Sequence, residues 1–132
     1  MCLRLIAVRA VAVPAGSASA ADRHTCRVIE KLMEATDSGL AAVAAGEAGR
    51  HPASGIATYA SQSLEFAENF SARDPLPDEV VIALTAMAAA ASSVFSFADA
   101  APALLEHGLV VHAAVPQICP EAGVPDLTRH AG

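Results

Sequence analysis

Apolar side chains recur every three or four residues along much of the chain, which is the spacing of one face of an α-helix. The first predicted helix runs from about Thr25 to Ala48, and Gly49 followed by Pro52 ends it. Its apolar or small positions are Cys26, Ile29, Met33, Thr36, Leu40 and Val43. The run from Asp37 to Gly39 is a predicted kink or break within this helix.

The second predicted helix carries most of the aromatic side chains. It begins near Ser54, which is a suitable N-cap, and ends around Ser71 because Pro75 and Pro77 cannot continue it. Its apolar positions include Ile56, Tyr59, Phe66 and Phe70. Their spacing is typical of an amphipathic helix.

A third helix is predicted after the proline-rich stretch. Asp74 is its predicted N-cap, with Pro75 in the first helical position and Asp78 near the positive end of the helix dipole. The run from Val80 to Ala98 has 19 residues without a charged side chain, which is long enough to span a membrane. The run is mainly alanine with several serines, so membrane insertion would be marginal. We predict a buried central helix instead.

The fourth predicted helix is the least regular. It starts around Asp99 or Pro102, is interrupted by Gly108 and stops at Pro116. The run from Leu109 to Val111 would suit a β-strand, but a single strand has no partner with which to pair. We therefore predict helix here too.

The composition supports one helical domain. With 132 residues, of which 32 are alanine and 54% are hydrophobic, the chain can bury one core and favours helix over sheet. We predict an all-α fold, an antiparallel up-down-up-down four-helix bundle. The bundle would occupy residues 21–119, between a signal-like presequence at 1–20 and a loose C-terminal tail at 120–132.

The charge pattern argues against two classes of partner. The formal net charge is −6, and lysine and arginine do not cluster anywhere in the sequence. Phosphate contacts require such a cluster, so a nucleic-acid partner is not expected. Binding to anionic membrane surfaces is disfavoured for the same reason.

The first twenty residues have the pattern of a secretory signal. Arg4 precedes an apolar stretch that ends at Val13, and Ala18 to Ala20 form a small-residue cleavage site. Arg9 interrupts the apolar stretch, at a cost of roughly 2.5 to 3.5 kcal/mol at a bilayer centre. The alternatives are a misassigned start codon, a transit-type presequence and a frayed N-terminal helix. We expect export to the periplasm, cell envelope or extracellular space, with no integral membrane span in the mature chain.

The cysteine count is consistent with export. Removal of the presequence removes Cys2 and leaves Cys26 and Cys119, a pair that would form a disulfide in an oxidising compartment. Four antiparallel helices return the chain to the end of the bundle where it began, which would make these two cysteines neighbours. The alternative is two unrelated buried thiols in a cytosolic protein.

Candidate catalytic and metal-binding residues form no complete set. His107 and His112 are separated by about 140° around a helix, so they do not share a face. His24 and Cys26 offer two metal ligands, but no zinc-binding pattern accompanies them. The pairs Glu30/Glu34 and Glu65/Glu68 lack the histidine found in carboxylate metal sites of helical bundles.

The sequence contains no nucleophile elbow, P-loop or dinucleotide fingerprint, so neither an enzymatic activity nor a cofactor is expected. We expect an exported, non-enzymatic helical module that binds a protein or a cell-envelope component. The alternative is a carrier of a small apolar or haem-like ligand inside the bundle, lined by Tyr59, Phe66 and Phe70. Metal-dependent hydrolysis through a histidine–carboxylate site is a third hypothesis.

Overall fold

The computed structural model describes residues 20–46, 54–70, 76–92 and 97–131, and these residues form four α-helices and one short 3-10 helix. The α-helices are α1 (Ala20–Ala44), α2 (Ser54–Phe70), α3 (Asp78–Ser92) and α4 (Phe97–Ile118). Each helix packs against the next, and α1 also packs against α4. The predicted four-helix bundle is thus confirmed. Within the described ranges no strand is present, and 109–111 is helical as predicted.

Helix α1 continues through the run where a break was predicted. Gly39 is buried, and a Cβ atom at this position would lie 2.3 Å from Cε2 and Cζ of Phe97. The glycine therefore permits a close approach of α4 instead of a turn. The helix ends earlier than predicted, because Gly46 has a φ of +80° and its amide donates to the carbonyl of Val43 (3.0 Å). Glycine adopts this left-handed conformation without steric cost.

Helix α3 begins at Asp78, not at Pro75 as predicted. The carbonyl of Pro77 accepts hydrogen bonds from the amides of Val80 (3.0 Å) and Val81 (3.1 Å). Since the ring of a proline disfavours helical geometry in the residue before it, the helix starts only after Pro77. The predicted cap, Asp74, lies outside the described residues.

The long uncharged run is not one buried helix. Helix α3 ends at Ser92 and α4 begins at Phe97, so the run is divided between two helices. Only one face of α3 is buried, while the side chain of Ile82 is 66% exposed. Helix α4 in turn passes through Gly108 without the predicted interruption. No helix in the described part of the chain is long and apolar enough to cross a membrane.

One core lies between the four helices. Its fully buried large side chains come from every helix, and they include Ile29, Leu32, Met33, Ile56, Leu84, Met87, Phe97 and Leu104. The predicted disulfide between Cys26 and Cys119 joins the beginning of α1 to the end of α4, with 5.7 Å between the two Cα atoms. The predicted presequence lies, except for Ala20, outside the described residues.

The segment after the disulfide differs from the expected loose tail. We call residues 120–131 the C-terminal strap. Leu127 within the strap is fully buried, and 127–130 form the 3-10 helix that packs on α1 and α4. A leucine that leaves water contributes about 1.5 to 3 kcal/mol, which favours docking of the strap over solvation.

Candidate functional site

Of the three aromatic residues predicted to bind a ligand, the structure describes the side chain of Tyr59 only. Tyr59 lies half-buried on α2, packed against the core, and its carbonyl accepts a hydrogen bond from the hydroxyl of Ser63 (2.8 Å). Phe66 and Phe70 belong to the same helix, but their side chains lie outside the described ones. The pocket for an apolar ligand therefore stays a prediction.

Two of the candidate metal ligands have other contacts. Cys26 is in the disulfide, and Oε2 of Glu30 accepts a hydrogen bond from the amide of Gly123 at 2.9 Å. Across the residues that the structure describes, no three or more histidine, cysteine, aspartate or glutamate side chains are grouped so that they could hold a metal ion.

A polar cluster that sequence reasoning missed joins α1 to the strap. It consists of Asp37, Arg129 and His130, and we call it the Asp37 cluster. Nη2 of Arg129 donates to both carboxylate oxygens of Asp37 at 2.8 Å, and its Nε lies 3.2 Å from Oδ1. Nε2 of His130 lies 2.7 Å from Oδ1 of the same carboxylate. One aspartate on α1 thus holds two consecutive residues of the strap.

The cluster is sheltered on one side and open on the other. The side chains of Asp37 and His130 are 17% and 11% exposed, while that of Arg129 is 56% exposed. Burial raises the pKa of Asp37, but the hydrogen bonds and positive charge of Arg129 and His130 outweigh it and hold the pKa below its ordinary value. Asp37 therefore remains ionised at neutral pH.

A second carboxylate begins the 3-10 helix. Asp126 caps it by accepting hydrogen bonds from the hydroxyl and the amide of Thr128. These two hydrogen bonds, helped by the nearby charges of His112 and Arg129, lower the pKa of Asp126. Nε2 of His112 on α4 lies 3.8 Å from Oδ1 of Asp126. This pair is a second electrostatic link between the strap and the bundle.

The hydrogen bonds of the Asp37 cluster hold the strap against α1. An aspartate that orients a histidine supplies two of the three members of a catalytic triad, but the triad also needs a nucleophile within hydrogen-bond reach of the imidazole. Among the described residues, the hydrogen bond that we find on His130 leads to Asp37. The cluster is therefore suited to fastening the strap to α1.

A different candidate site lies on the solvent side of α3. Four exposed and uncharged side chains, Val81, Ile82, Thr85 and Ala89, form what we call the α3 outer face. The hydroxyl of Thr85 donates to the carbonyl of Val81 (2.8 Å), so it needs no partner from outside. The exposed side chains of α1, by contrast, include charged Arg27, Lys31 and Glu34.

Comparison of the chain with protein-family models, with curated proteins and with solved structures finds no match.

Proposed function

We propose that this protein is an exported, non-enzymatic helical module that binds a protein or cell-envelope partner through the α3 outer face. The observation that carries the proposal is the exposure of Ile82 on a helix that has no charged residue between Val80 and Ser92. The solvent face of a helix on a soluble bundle is normally charged or polar. After Asp78, which lies one turn before Ile82 on the same face, this outer face is uncharged and displays a large apolar side chain, a feature that docking surfaces share.

Burial of the exposed apolar side chains of this surface by a partner would contribute to the free energy of binding. Ile82 is 66% exposed and the neighbouring Val81 is 37% exposed. Complete burial of one such side chain contributes about 1.5 to 3 kcal/mol. Val110 on α4 is also 37% exposed, which adds apolar area to the bundle surface. The partner surface opposite Ile82 should therefore be apolar.

Two observations support export. The signal-like segment at 1–20 would direct the chain out of the cytoplasm. The disulfide between Cys26 and Cys119 is a bond that oxidising compartments preserve and the cytosol reduces. Intact mass of the protein recovered outside the cytoplasm tests this part. We expect a chain that begins after Ala20 and takes up two alkyl groups only after reduction, and a chain with two free thiols would contradict the proposal.

Site-specific photo-crosslinking tests the surface. A benzoylphenylalanine residue replaces Ile82 in one variant and Ser61, an exposed position on α2, in a matched control. Both variants are illuminated in cells that naturally produce the protein. We expect one discrete adduct from position 82 and none from position 61, because only the α3 outer face is covered by the partner.

A charge placed on the same face provides a second test. Ile82→Lys should abolish an adduct formed by a crosslinker at position 89, whereas Ser61→Lys should leave it unchanged. No adduct at position 82, or equal adducts at 82 and 61, would refute the docking surface. An enzymatic turnover abolished by a single substitution would refute the non-enzymatic role.

A further inference from the structure

Leu127 of the strap enters a recess that three helices form together. The recess centres on Gly108 of α4, where a Cβ atom would lie 3.1 Å from Cδ1 of Leu127. The same position is 3.6 Å from Cε of Met87 on α3 and 3.7 Å from Cγ2 of Thr36 on α1. Because Gly108 has no side chain, the leucine reaches the interior of the bundle and is fully buried. The recess is thus matched to one branched apolar side chain.

Polar groups of the bundle lie on both sides of the recess and contact strap residues before and after Leu127. Glu30 on α1 accepts from the amide of Gly123, and His112 on α4 faces Asp126, one residue before the leucine. Two residues after the leucine, Asp37 holds the guanidinium of Arg129 by paired hydrogen bonds. A bidentate arginine–carboxylate pair is specific in geometry as well as in charge. Together these groups recognise a leucine followed two positions later by an arginine.

The strap is fastened in a way that permits local release. Among the described residues, its polar contacts with the bundle include three ionisable side chains, Glu30, Asp37 and His112. Arg129 is more than half exposed, and exposed ion pairs contribute only about 0 to 1 kcal/mol each. The strap buries one large apolar side chain, Leu127, whereas α1 alone buries several, so the strap should open at a lower free energy than the core. The disulfide at Cys119 still joins α4 to α1 when the strap leaves.

We propose that the groove beneath the strap is a peptide-binding site whose partner is a protein segment with a leucine and, two residues later, an arginine. In the isolated protein the strap occupies this site as an intramolecular ligand and blocks it. This site is separate from the α3 outer face, and its test does not depend on Ile82.

The experiment measures binding of a fluorescein-labelled peptide of residues 120–131 to the full chain by fluorescence anisotropy. The strap is weakened in one variant by Leu127→Ala with Arg129→Ala, and in a milder variant by Arg129→Ala alone, which changes an exposed side chain. Circular dichroism and a thiol assay establish that each variant is helical and disulfide-bonded. We expect the double variant to bind the peptide at least ten times more tightly than the wild-type chain, whose own strap competes.

Two controls locate the binding. A peptide with alanine in place of its leucine should bind at least ten times more weakly to the double variant. Adding Asp37→Asn to that variant should also weaken binding of the unchanged peptide, by roughly two- to fivefold, because the exposed ion pair contributes up to about 1 kcal/mol. The proposal is overturned if the folded double and single variants both fail to bind the peptide. It is also overturned if neither the alanine peptide nor Asp37→Asn changes the affinity, because the peptide would then bind elsewhere.

Discussion

Gly39 of α1 lies directly against the ring of Phe97, the first residue of α4. The ring is fully buried, and a Cβ atom on Gly39 would come within 2.3 Å of two of its carbon atoms. Such a distance is far below van der Waals contact, so any side chain at position 39 displaces the ring or separates the two helices. This contact sets how closely the first and last helices approach.

Gly39→Ala should therefore destabilise the protein despite the higher helix propensity of alanine. We expect a net loss of about 1 to 3 kcal/mol in the free energy of unfolding, which is the usual cost of overpacking. Chemical denaturation monitored by circular dichroism measures it. Gly55→Ala is the matched control, because a Cβ atom there meets nothing within 4 Å. It should be neutral or stabilising by up to about 1 kcal/mol, and equal effects of both substitutions would contradict the packing argument.

Removal of the disulfide should cost about as much as the largest truncations of core side chains. The bond links residues 93 positions apart, and the chain-entropy model gives about 4 to 5 kcal/mol for a loop of this length. We expect Cys26→Ser with Cys119→Ser to lower the denaturation midpoint strongly. Dithiothreitol should shift the wild-type midpoint in the same direction and leave the double serine variant unchanged. A wild-type midpoint that does not respond to the reductant would show that the bond contributes nothing.

The Asp37 cluster should make stability depend on acid pH. The pKa of Asp37 in the folded protein is below its ordinary value of 3.8, so the ionised carboxylate stabilises the native state. This contribution is complete well above pH 3.8 and is lost as the pH falls through the lowered folded value. Asp37→Asn should therefore be less stable than the wild type at pH 6 and lose less on acidification. Arg129→Ala, which removes a hydrogen-bond donor, should flatten the same slope in part. A slope equal to that of the wild type in Asp37→Asn would contradict this assignment.

Two neighbouring positions on α3 should separate stability from binding. Leu84 is fully buried, so Leu84→Ala should cost about 2 to 5 kcal/mol. Ile82 points to solvent, so Ile82→Ala should change the free energy of unfolding by no more than about 0.5 kcal/mol. Thermal unfolding of the two variants checks this. A large destabilisation by Ile82→Ala would mean that this side chain serves the fold instead of a docking surface.

The helical periodicity and the cysteine positions were sufficient to predict the bundle. Four predicted helices place Cys26 and Cys119 at one end, and the structure joins them there. The helix ends were less predictable, because neighbouring turn residues compete. Gly46 ends α1 before Gly49, and Pro77 delays α3 beyond Pro75. Local sequence patterns do not distinguish Gly46 from Gly49, or Pro77 from Pro75. Packing of the helices decides which glycine ends α1 and which proline precedes α3.

The candidate sites could not be predicted from local sequence patterns. Asp37 and Arg129 are 92 residues apart, and nothing near either residue in the sequence points to the other. Gly108 was predicted to interrupt α4, but it is the position that admits Leu127. The strap carries Leu127 followed by two basic residues, Arg129 and His130. This pattern gains a meaning only when the groups on α1 and α4 that bind it are known. Tyr59, Phe66 and Phe70 stay a predicted ligand-binding set.

The bond between Cys26 and Cys119 turns most of the chain into a covalent ring, from which only the ends before Cys26 and after Cys119 emerge. A protease that cuts once between two of the α-helices opens this ring but releases no fragment. The nicked molecule keeps its mass, apart from one added water, until a reductant divides it into two pieces.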